Sequence, residues 1–124
     1  MPYIKLNMTK KLTHDQKQSL SQELSKAVKL IPHKKVIFLL IEDAMTMFVA
    51  DKEQEDFVYV ELDMCGHFAI EIKSAFSRAT FDAITSIVGT PPEKISLRIS
   101  EHNGWGGFGD FVETDEFGDP IFKE

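Results

Sequence analysis

Cysteine is almost absent from this chain. Cys65 stands alone, so no internal disulfide framework can form, and a single thiol suits a reducing, cytoplasmic setting. Long apolar runs are missing too. The longest, Val36 to Ile41, has six residues and cannot span a bilayer. Residues 5 to 17 are polar and charged, which leaves no room there for the apolar stretch of a signal peptide. Basic charge is in deficit: 14 Lys and Arg against 20 Asp and Glu give a formal net charge of −6. No basic cluster is large enough to serve as a nucleic-acid footprint. Neither nucleic acid nor membrane is therefore expected as a partner. The 124 residues, 43% of them hydrophobic, suffice for one domain with a sizeable core, spanning 1–124.

What is present begins at Pro2, which opens an alternating segment, Pro2-Tyr3-Ile4-Lys5-Leu6-Asn7. Proline is tolerated at the first residue of a strand, where its missing N–H costs nothing. Removal of Met1 would also expose a secondary α-amine, a compact and rigid proton carrier. An ordinary α-amine titrates near ~8, and burial or a nearby cation would lower it toward the working range of a general base.

The chain then repeats one plan. Thr13-His14-Asp15-Gln16 reads as a capping box. Leu20, Leu24, Ala27, Val28 and Ile31 recur at helical spacing, and Pro32 stops the helix. Val36 to Ile41 predicts a strand that is apolar on both faces. In the second half, 57–64 alternates with Val58, Val60, Leu62 and Met64 on one face. Residues 74–88 carry Phe76, Ala79, Ala83, Ile84, Ile87 and Val88 at helical spacing, closed by Gly89 and Pro91-Pro92. Ile95 to Ser100 is a strand with one apolar face. The expectation is an α/β, two-layer fold. Two β-α-β units, about 2–42 and 57–101, form a four-stranded mixed sheet with both helices on one face. The 36–41 strand would leave apolar side chains on the other face, to be covered by other subunits, since 110–124 is a polar tail. Ala44 to Ala50 could form a short edge strand pairing across that subunit boundary. Gly104 to Gly109 reads as a flexible turn that seats Trp105 and Phe108.

In order and spacing, these pieces resemble the tautomerase superfamily, in its macrophage-migration-inhibitory-factor-like branch. The likeness covers roughly residues 2 to 109. It rests on Pro2 opening the first strand, the duplicated unit, Pro91-Pro92-Glu93-Lys94-Ile95 leading into the last long strand, and the Asn103-Gly104-Trp105-Gly106 turn. Thr13-His14-Asp15-Gln16-Lys17 is similar to the helix start of the short-chain, 4-oxalocrotonate-tautomerase-like members. The resemblance implies a homotrimer whose sheets line a central barrel, and an amino-terminal proline that shuttles a proton in keto–enol tautomerisation. It implies no cofactor and no metal. Carried over residue by residue, Pro2 matches the catalytic proline. Cys65 falls where the branch offers a backbone N–H to substrate. Ser96 stands in place of its pocket tyrosine, and Arg98 in place of its pocket asparagine. The pocket lysine has no direct counterpart: its position falls near Leu30 or Ile31, between Lys29 and His33-Lys34-Lys35.

The reading is a tautomerase acting on a small 2-keto acid. Pro2 is the base, and Arg98 grips the carboxylate and steadies the enolate. Lys5, Cys65, Ser96 and Trp105 complete the substrate site, with the 29–35 basic cluster as a further source of positive charge. Two alternatives are hydrolytic dehalogenase- or hydratase-type chemistry on an unsaturated acid, and a non-catalytic oligomer that keeps the fold. The spacings of Glu101, His102, Asp110 and Glu113 match no metal-ligand pattern.

Overall fold

Alternation decides the first strand. In β1 (Tyr3–Met8) the side chains of Ile4, Leu6 and Met8 are completely buried, while those between them face the other way. In the computed structural model, which describes residues 2–114 and 120–121, β1 is followed by α1 (His14–Ala27), β2 (Phe38–Glu42), β3 (Phe48–Val49), β4 (Lys52–Glu53), β5 (Val58–Cys65), α2 (Ile70–Val88), β6 (Ile95–His102), β7 (Gly104–Gly107), β8 (Asp110–Thr114) and β9 (Pro120–Ile121). Met1 and the tail acids Asp115, Glu116, Asp119 and Glu124 lie outside the described residues.

The main sheet has the order β2-β1-β5-β6. The pairs β1/β2 and β5/β6 are parallel, and β1/β5 is antiparallel. The two β-α-β units thus form the mixed four-stranded sheet that the duplicated pattern predicts. The core lies between the sheet and the helices. Ile4, Leu6, Met8, Val58, Val60, Leu62 and Met64 meet Leu20, Leu24, Val28, Phe76, Ile84 and Val88 there. Each fully buried aliphatic side chain in such a layer contributes about 1.5–3 kcal/mol.

Both helix ends follow local chemistry where a local signal exists. Thr13 Oγ1 accepts from Gln16 N at 3.1 Å, and Gln16 Oε1 accepts from Thr13 N at 2.9 Å, so the capping box is complete. Helix α2 closes on Gly89 at φ 88°, a left-handed cap that suits glycine. Its start is four residues earlier than the periodicity indicates, at Ile70 rather than residue 74. Ala69 offers no capping side chain. Instead, Glu101 of β6 accepts the Phe68 N–H at 2.7 Å, just ahead of the helix. Strand β2 is likewise displaced, to Phe38–Glu42, because β1 supplies ladder partners only from Phe38 onward.

Three further expectations concern the connecting segments and the open face. Phe48–Val49 pairs within the chain with β4, through Ala50 and Asp51 at φ 50° and 64°. Positive φ at both central residues is what a two-residue type I′ hairpin requires. Gly104–Gly107 is a strand rather than a flexible turn. It pairs with β8 through Phe108 and Gly109 at φ 50° and 86°, and β9 joins the same sheet. On the face away from the helices the 36–41 segment leaves apolar side chains, as expected, while the rest of that face is mainly polar. Only the β2 edge is apolar there, with Phe38 46% and Leu40 40% exposed. The three other strands alternate strictly and present Lys5, Asn7, Glu61, Asp63 and Arg98 on that face.

Candidate active site at one end of the sheet

Strand direction gathers the loops that matter. β1 and β2 begin, and β5 and β6 end, at the same end of the sheet. The loop before β2, the 65–69 segment after β5 and the 102–104 corner after β6 therefore converge there. Pro2 sits at the middle of this end and is buried. Its carbonyl accepts the Phe38 N–H at 2.8 Å. Continuing the Tyr3–Asp63 register by one residue sets Pro2 opposite Met64, with buried Cys65 next along β5.

The loop that precedes β2 is basic. Lys29, Ile31, Pro32, His33, Lys34 and Lys35 line a cleft of about 370 Å³. Lys34 Nζ lies 5.9 Å from the centroid of the Phe68 ring and so joins this basic loop to the 65–69 segment. Lys29 and Lys35 have no ion-pair partner among the described residues. Opposite them Glu101 is held by Lys73 Nζ at 2.9 Å and the Phe68 N–H. Burial alone would raise its pKa, but these hydrogen bonds outweigh that and hold it below the usual range. His67 bonds Asn103 Oδ1 at 2.8 Å and closes the corner.

The other candidates lie apart from Pro2 within one chain. Lys5 is across the ladder from Glu61, which is across from Arg98. From Pro2 to Arg98 is three residues along and two strands across, roughly 14 Å at ordinary strand spacings. Ser96 pairs with Tyr59 and, reckoned the same way, lies roughly 19 Å from Pro2. Arg98 Nη2 donates to Glu61 Oε1 at 2.7 Å, and Asn7 Nδ2 donates to Glu61 Oε2 at 3.0 Å. Lys5 lies 3.2 Å from Glu42, whose hydrogen bond and charge raise the Lys5 pKa. Both cations are thus already engaged by carboxylates. Trp105 lines a different cleft, of about 310 Å³, with Tyr3, Asp63, His102, Gly104 and Gly106. A wider groove of about 500 Å³ between α1 and α2 contains none of the candidate residues.

Sequence reasoning missed Asp63 and Phe68 and set His102 aside. Asp63 was readable as a residue of the polar face from the alternation of 57–64. Its pairing with His102, Nε2 to Oδ1 at 2.8 Å, depends on the β5–β6 register, which no local pattern supplies. Among the described residues no group of three or more His, Cys, Asp or Glu side chains converges on a metal position. No helix among them is long and apolar enough to cross a membrane.

No protein-family model matches the chain, and no curated protein matches its sequence. Its fold does match solved structures. The MIF2 protein of Leishmania major superimposes with a TM-score of 0.82 at 18% identity, over 90% of this chain and 97% of that one. Macrophage migration inhibitory factor of Toxoplasma gondii gives 0.79 at 12% identity, over 88% and 98%. Pt0534 inactivated by 2-oxo-3-pentynoate gives 0.76 at 17% identity, over 86% and 92%. The fold is that of the macrophage migration inhibitory factor structures, as the resemblance implied.

Proposed function

We propose that the chain belongs to the tautomerase superfamily and moves a proton on a small 2-keto acid, with Pro2 as base once Met1 is removed. The observation that carries this reading is the position of Pro2: buried at the start of β1, opposite Met64 on one side and bonded on the other to Phe38, at the head of the strand that the basic 29–35 loop precedes. The free nitrogen would take a proton α to the ketone and return it to the adjacent atom. The lysines of the 29–35 loop supply the charge that attracts the carboxylate and, with burial, favour the neutral amine. The Cys65 N–H is the candidate donor to the developing enolate.

Arg98 and Ser96 are too far from Pro2 to act within one chain, and both stand exposed on the edge strand β6. They join the site only if a neighbouring copy brings its β6 against the Pro2 end. A homotrimer would do this, and would set the polar sheet faces toward one another around an aqueous centre. The same assembly covers the apolar β2 edge at Phe38 and Leu40.

Pt0534 is inactivated by 2-oxo-3-pentynoate, a small 2-keto acid with an alkyne that an amine can add to. The same compound tests the reading here. Met1-free protein should gain the mass of one adduct per chain, mapped to the peptide that begins at Pro2. A protein left unlabelled there, or labelled only at Cys65, would overturn the assignment of Pro2.

A further inference from the structure

Asp63 is held differently from the other carboxylates of the polar sheet face. Glu61 is neutralised by Arg98 at 2.7 Å and Glu42 by Lys5 at 3.2 Å. Asp63 has a histidine instead: Oδ1 accepts from His102 Nε2 at 2.8 Å. Its Oδ2 has no partner among the described residues. Asp63 thus has no lysine or arginine partner among the described residues, and its side chain is 26% exposed.

Two aromatic rings flank that charge. Tyr3 and Trp105 line the same cleft of about 310 Å³, on β1 and β7 respectively. Tyr3 is stacked on Phe38 with ring centroids 5.6 Å apart, which holds the phenol ring in place. Trp105 lies against His102, centroids 5.9 Å apart and tilted by 55°. Gly104 keeps β7 close to its partner, since a Cβ there would come within 3.1 Å of the Phe111 ring. A half-buried carboxylate in a cleft with two electron-rich rings matches the needs of an organic cation. The ring faces attract an ammonium group within about 6 Å, and the carboxylate supplies the counter-charge.

We propose that this cleft is a second ligand site, and that it takes a small organic cation, a primary or quaternary ammonium. It lies on the sheet face opposite the helices and uses none of the 29–35 lysines. Its ligand class is opposite in charge to the keto acid proposed for Pro2.

Trp105 is the only tryptophan in the chain, so its fluorescence reports on the cleft alone. The full chain is titrated with benzyltrimethylammonium, and separately with benzoate and benzyl alcohol. The site predicts a saturable change in Trp105 emission with the cation, and at least tenfold weaker responses with the anion and the neutral alcohol. Asp63→Asn should weaken cation binding at least tenfold while leaving the far-ultraviolet circular dichroism unchanged. If that variant does not fold, the contrast among the three probes on the unaltered protein decides. No saturable response to the cation, an equal response to benzoate, or unchanged affinity in folded D63N would each overturn the proposal.

Discussion

Glu101 shows how one side chain can organise a corner. It accepts from Lys73 and from the Phe68 N–H, so it joins the end of β6 to the start of α2. Because its folded-state pKa is lowered, its contribution is fully present above the ordinary carboxylate pKa, about 4.3. That contribution is lost as pH falls below that value and through the folded pKa. Glu101→Gln should therefore cost about 1 kcal/mol at pH 7, after allowance for solvent screening. The gap between variant and parent should narrow toward pH 3. Urea unfolding at both pH values checks this, and a gap that widens in acid would contradict it. Asp43 has the same sign, since the Leu12 N–H at 2.7 Å and then Lys17 hold its pKa down.

At the scale of elements, legibility followed the range of the signal. The α1 start was readable because its cap, Thr13 with Gln16, lies within four consecutive residues. Thr13→Ala should cost about 1 kcal/mol of stability, measured by denaturant unfolding, with the fold unchanged. A change within ~0.2 kcal/mol would mean that tertiary packing alone fixes this end. The α2 start was not readable, because the group that serves it, Glu101, is 33 residues away from Phe68. The β2 start was misplaced for a similar reason: Val36 and Ile37 are good strand residues, but β1 has no partner to offer them. The β3–β4 hairpin was missed because its turn uses Ala50 and Asp51 at positive φ, without the usual glycine or asparagine; in the β7–β8 hairpin Gly109 is present, but Gly104, Gly106 and Gly107 around it mask the strand pattern. Of the candidate site, Pro2 and the 29–35 cluster stood out in the sequence. The wide separation of Arg98 and Ser96 from Pro2 follows from sheet register and was not legible there.

The whole molecule raises the question of assembly, because the site as proposed is completed by another copy. Subunit mixing tests this. A chain with Met1 retained lacks a free proline nitrogen, and Arg98→Ala lacks the guanidinium. Mixed after denaturation and refolding, the two should regain activity that neither has alone, since some interfaces pair an intact Pro2 with an intact Arg98. Absence of any recovery, with a mixed oligomer demonstrated by native mass spectrometry, would remove Arg98 from the neighbour's site. The base itself is tested most directly by one comparison, the rate of enol-to-keto conversion of phenylpyruvate by the same sequence with and without Met1. Met1-free protein should be active, with a rate that rises with pH through a titration below that of an ordinary α-amine. Protein that retains Met1 should be slower by ~10²-fold or more, as expected when a general base is removed. Equal rates for the two would contradict Pro2 as the base and leave it as the residue that opens β1.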